Sequence, residues 1–118
     1  MKLLIVISFI FILIGCSSPT KKNEKYYQDK LCKKLNGITE YVLEDRTRVD
    51  CLTSDYAIEV DWAKKWAEGI GQSLYYSYMT GKKPAVALIV NDNDQRYINR
   101  LNTIAKKLNI KTIIIQRD

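Results

Sequence analysis

Residues 56–79 read YAIEVDWAKKWAEGIGQSLYYSYM, and how this stretch divides decides the fold. Up to Asp61 the side chains alternate, with Tyr56, Ile58 and Val60 set against Ala57, Glu59 and Asp61. That is the period of two of a pleated strand. From Trp62 the period changes, and residues 62–79 read as a helix despite Gly69 and Gly71. Asp61 is placed to cap its start. Gly81 follows its end, with Pro84 just beyond.

Working outward, residues 24–36 (EKYYQDKLCKKLN) repeat Tyr27, Leu31 or Cys32, and Leu35 at helical spacing, stopped by Asn36-Gly37. Residues 39–43 and 47–52 are rich in strand formers and, with residues 56–61, predict a three-stranded antiparallel meander. Residues 85–90 (AVALIV) are continuously apolar, as in a strand buried on both faces. Residues 95–109 carry an amphipathic stripe, and residues 111–116 close the chain as a strand. Asn91 to Asp94 read as a loop and helix cap. The predicted order is αβββαβαβ, an α/β chain of the α+β mixed-sheet kind. Its last two strands should be parallel through a right-handed crossover.

The first residues belong to a different signal. Lys2 precedes an apolar run from Leu3 to Ile14, interrupted by Ser8 and ending in Leu13-Ile14-Gly15-Cys16. This resembles the lipobox of bacterial lipoproteins. The resemblance implies a signal peptide over 1–15, lipidation of Cys16, a tether over 16–23 and a domain over 24–118. The expected location is then the cell envelope, with the protein lipid-anchored to a bacterial membrane. Losing residues 1–15 leaves 103, enough for one modest core. The net charge falls from +6 to +5 because Lys2 is lost. Such a balance suits a polyanion, an anionic membrane surface or simply a lysine-rich exterior. There is no histidine, which removes the usual general base and the commonest zinc ligand. In an exported chain, Cys32 and Cys51 read as a disulfide pinning the first helix to the second strand, or else as two free thiols.

The meander gathers acid. Glu59 and Asp61 share one face of their strand, and Asp50 stands on the neighbouring strand across a short turn. Carboxylates so placed repel one another unless a cation or a proton offsets them. Oxygen-rich groups of this kind suit Mg²⁺ or Mn²⁺, which in turn can act on a phosphodiester.

The element order, Asp50…Glu59-Val60-Asp61 and the Gln72-x-x-x-Tyr76 pair on one helix face together resemble the PD-(D/E)XK, restriction-endonuclease-like superfamily. The resemblance spans nearly all of residues 24–118. It implies a metal-dependent deoxyribonuclease in which Asp50 and Glu59 hold metal with help from Asp61, and Gln72 positions a ligand or phosphate. The superfamily's Lys falls at position 61, which here is Asp61. Lys65, seven residues before Gln72 and so about 20° from it on a helical wheel, is a candidate replacement; otherwise the site lacks its Lys. Glu40 is the candidate for an extra acid. Arg46, Arg48 and Tyr76 are candidate DNA contacts, the two arginines alternatively neutralising Asp50. The competing reading is a non-catalytic binding module in the envelope, with a lipid- or lipopolysaccharide-binding protein as a third.

Overall fold

The computed structural model describes Gly15 and residues 22–118. The expected signal peptide, Gly15 apart, and the expected lipidation site Cys16 therefore lie outside the described residues. Among the described residues, no helix is long and apolar enough to cross a membrane.

The order is α1 (Glu24–Lys34), β1 (Ile38–Val42), β2 (Arg48–Leu52), β3 (Tyr56–Trp62), a 3₁₀ turn (Ala63–Lys65), α2 (Trp66–Thr80), β4 (Lys83–Val90), α3 (Gln95–Leu108) and β5 (Lys111–Gln116). The predicted αβββαβαβ succession is met element for element. One five-stranded sheet runs β1-β2-β3-β4-β5. The first three strands pair antiparallel, and β3-β4 and β4-β5 pair parallel, which makes the sheet mixed.

Alternation along β3 sorts the two faces. Ile58 and Val60 join Ala85, Ala87 and Ile89 in a core under α1, whose Tyr27 and Cys32 are buried there. On the other face Val86, Leu88 and Val90 pack with Leu101 and Ala105 of α3 and with Ile70 and Leu74 of α2. Burial on both faces accounts for the unbroken apolar run in β4. Cys32 and Cys51 are joined as the expected disulfide, tying α1 to β2. Gly37 lies against that bond: a Cβ there would stand 2.6 and 2.7 Å from the two sulfurs.

The period change after Asp61 falls one residue later than predicted. Asp61 lies within β3, not at a cap, and the N-cap of α2 is Lys65, with no side-chain cap bond. Lys65 closes the 3₁₀ turn, so an α-helical wheel does not relate it to Gln72. The C-terminus of α2 is as expected, with Gly81 left-handed at φ 72°.

Candidate functional site: an acid pocket beneath the central helix

The pocket originates in a break between β2 and β3. Their ladder pairs Leu52 with Ala57 and Cys51 with Ile58 and then gives way to side-chain bonds. The Asp50 carboxylate accepts from the Val60 N–H at 2.8 Å, and the Glu59 carboxylate accepts from the Asp50 N–H at 3.4 Å. Each acid thus takes over a contact that a regular antiparallel ladder would give to a carbonyl. Opposite the break, β1 bends at Glu40, whose backbone is left-handed at φ 53°. The Glu40 carboxylate accepts from Gln28 Nε2 at 3.0 Å, and Arg48 stands 4.0 Å from it. Arg48 is therefore the partner of Glu40 rather than of Asp50.

Pleating carries Glu59 and Asp61 to the face covered by α2. Both are nearly closed off from solvent, at 3% and 5% exposed. Asp61 fits because α2 offers Gly69 above it: a Cβ at that position would meet Asp61 Oδ2 and Val86 Cγ1, each at 3.1 Å. The same Oδ2 is buried with no hydrogen-bond partner, and leaving such an oxygen charged is costly.

The pocket therefore holds protons. Burial, followed by the charges of Glu24 and Asp50, pushes Asp61 up to about 7. Burial also raises Asp50 and Glu59, with the charge of Asp50 driving Glu59 the further of the two. Both shifts run in the direction that favours a proton shared by the pair. Lys65, exposed at the rim, lowers both Asp61 and Glu24 by its charge.

Glu59 and Asp61 thus lie under α2, Asp50 is bonded beside them across the β2–β3 break, and Glu40 stands on the strand next to β2. Among the described residues no group of three or more Asp, Glu, Cys or His side chains is placed to hold a metal ion, and one oxygen each of Asp50 and Glu59 is engaged by a backbone amide. Gln72 is half-buried on α2. Tyr76 is buried against Val49 and Ala57 and offers no exposed ring for DNA. Arg46 lies in the β1–β2 turn, left-handed at φ 69°, off the strand face shared by Arg48 and Asp50 in the predicted geometry. The neighbouring Tyr75 hydroxyl donates to Asp45 and ties α2 to this turn.

A second group of cations, two of them (Arg96 and Arg117) absent from the sequence-based candidates, gathers elsewhere. Lys64, Arg96 and Arg117 line a crevice at the carboxyl ends of β3, β4 and β5. Their signal was positional, because each follows closely on a strand of the parallel part of the sheet, where ligands commonly sit.

No family model and no solved structure matches the chain. It is similar to a protein of Acanthamoeba polyphaga mimivirus whose name assigns it a KilA-N domain, with 35% identity over 103 residues. The match takes in 85% of this chain and 40% of that relative's length. These findings overturn the PD-(D/E)XK assignment, for which they contain nothing, and which the relative's name does not share. The geometry gives the physical reason the motif misled. Asp50 and Glu59 are bonded to the β2–β3 backbone, and a buried Asp61 stands where that superfamily has Lys.

Proposed function

We propose that this domain is a nucleic-acid-binding module, directed at DNA, that works through its basic exterior. The observation that carries the reading is where the negative charge is kept. The formal net charge of +6 counts all thirteen acids as ionised. Glu59 and Asp61 are buried, and both are pushed towards the protonated form. The surface is therefore more positive than the composition states. Its cations are also mostly free of carboxylate partners: among the described residues, ion pairs engage Lys22, Lys25, Lys30 and Arg48. An uncompensated basic surface favours a phosphate backbone by releasing its counterions. Likeness to a protein named for a KilA-N domain supports the same direction.

Hydrolysis is no part of this reading, which rests on the placement of charge and on the relative's name. Arg48, paired only at 4.0 Å, and the exposed Arg46 remain available to phosphate on the hairpin side.

Fluorescence anisotropy of a labelled DNA duplex with the full chain tests the reading. Binding should weaken steeply between about 50 and 200 mM salt, as contacts to several phosphates require. Absence of binding at the low-salt end would sink it. Binding to anionic vesicles without binding to DNA would replace it with a membrane-surface role.

A further inference from the structure

A second feature, separate from the acid pocket, lies where the parallel strands end. Trp62 and Lys64 come from the end of β3 and the turn after it, Arg96 and Tyr97 from the first turn of α3, and Arg117 from just past β5. Together they enclose a crevice of about 410 Å³, within the size range of small-ligand sites, about 300–1,000 Å³. Three cations face one carboxylate there, that of Asp94, leaving a lining charge of two positive. The Asp94 carboxylate is already occupied in its own loop, accepting from the Asn91 N–H at 2.9 Å.

The guanidinium groups are positioned by aromatic rings, not by acids. Arg117 stands over the Trp62 ring at 5.0 Å, and Arg96 over the Tyr97 ring at 4.8 Å. Arg96 also donates to the Tyr97 hydroxyl at 3.1 Å. The backbone of Arg117 is held by its N–H on the Val90 carbonyl at 2.9 Å. Asp118, the nearest acid in sequence, is engaged instead with Lys22 and Lys30. Among the described residues, none of the three crevice cations is in an ion pair. An incoming anion therefore finds oriented donors and breaks no salt bridge to reach them. Planar guanidinium forks suit phosphate oxygens in particular.

We propose that this crevice is a phosphate-binding subsite for a nucleic-acid strand, with Arg96 and Arg117 as the forked donors and Lys64 as the third cation. The proposal rests on the nucleic-acid reading above and gives that reading a specific location. The phosphate is either an internal diester or a strand terminus, and one experiment separates them.

Labelled single-stranded oligothymidylate, with and without a 5′-phosphate, is titrated with the full chain and with an Arg96→Gln/Arg117→Gln variant. Lys106→Gln/Lys107→Gln, at the far end of α3, removes the same charge outside the crevice. The crevice variant should lose about tenfold or more in affinity, and its salt slope should flatten by about one to two units. The control should lose less than about threefold. Inorganic phosphate should compete against the wild type and not against the crevice variant. A loss seen only with the 5′-phosphorylated strand assigns the site to strand ends, and an equal loss with both strands assigns it to internal diesters. Matching losses in the two variants would overturn the crevice while leaving general nucleic-acid binding intact. Wild-type binding to the duplex but not to oligothymidylate would overturn the strand subsite, and binding to neither would overturn the underlying reading itself. Circular dichroism of each variant, together with an Arg117→Lys variant that keeps the charge and loses the fork, separates failed folding from failed recognition.

Discussion

Asp61 and Trp62 are adjacent in sequence and lead into opposite environments. Asp61 turns under α2 into a pocket that is shut from water, where burial pushes its carboxyl up to about 7. Trp62 turns to the other face, meets the edge of Tyr27 with ring centroids 5.9 Å apart and carries Arg117 over its ring at the open end of the sheet. In the pocket, negative charge is desolvated and suppressed. In the crevice, positive charge is oriented on aromatic faces and left without an acid partner. The contrast shows that charges in a sequence cannot simply be added: burial removes some from the account while exposure and aromatic support keep others available.

The contrast can be broken most forcefully at the covalent pin beneath the pocket. Replacing Cys32 and Cys51 by Ser together should cost about 3 kcal/mol, read as a lower midpoint in urea, because a loop of this size is released in the unfolded chain. If the pocket depends on β2 being held, Asp50 amide protection should fall more than protection in α3.

Next comes Gly69→Ala. Helix propensity alone favours Ala by about 1 kcal/mol. The added Cβ, 3.1 Å from both Asp61 Oδ2 and Val86 Cγ1, should reverse the sign and destabilise by about 1–2 kcal/mol. The same change at Gly71, where a Cβ meets nothing within 4 Å, should stabilise.

A pH titration of stability sharpens the protonation claim. The folded state raises Asp61 from 3.8 to about 7, so the native chain binds that proton more tightly than the unfolded chain. Its contribution is complete below about pH 4 and is lost as pH rises through about 7. The raised Asp50–Glu59 pair adds to the decline in the same direction. Thermal midpoints should therefore fall over this window, and Asp61→Asn should flatten the fall. A midpoint rising from pH 4 to 7 would contradict the protonated pocket.

The smallest effect expected is none. Chelation by EDTA should leave DNA affinity unchanged within about twofold, because the proposed contacts are cations of the protein itself. A large loss would place a metal back among the acids.

The helix–strand order was legible because periods of two and of about 3.6 are local properties. The alternation in residues 56–61 and the stripe in residues 95–109 announce themselves without partners. The nearness of Asp50, Glu59 and Asp61 was legible too, since a short antiparallel turn permits few registers. Their chemistry was not. How an acid pair behaves depends on what surrounds its oxygens, and the bonds to the Val60 and Asp50 amides arise from the gap in the β2–β3 ladder. Tyr76 misled for a related reason: its place on one face with Gln72 was readable, but the presence of β2 and β3 against it was not.

By itself the sequence determined the succession of elements, the single mixed sheet and the basic balance, because these follow from local periodicity and counting; whether Cys32 and Cys51 meet was settled by the fold. Only the tertiary structure decided which acids keep their charge and which cations meet. Desolvation beneath α2 needs a helix laid over a strand, and the crevice needs three parallel strand ends side by side, bringing together residues as far apart as Trp62 and Arg117.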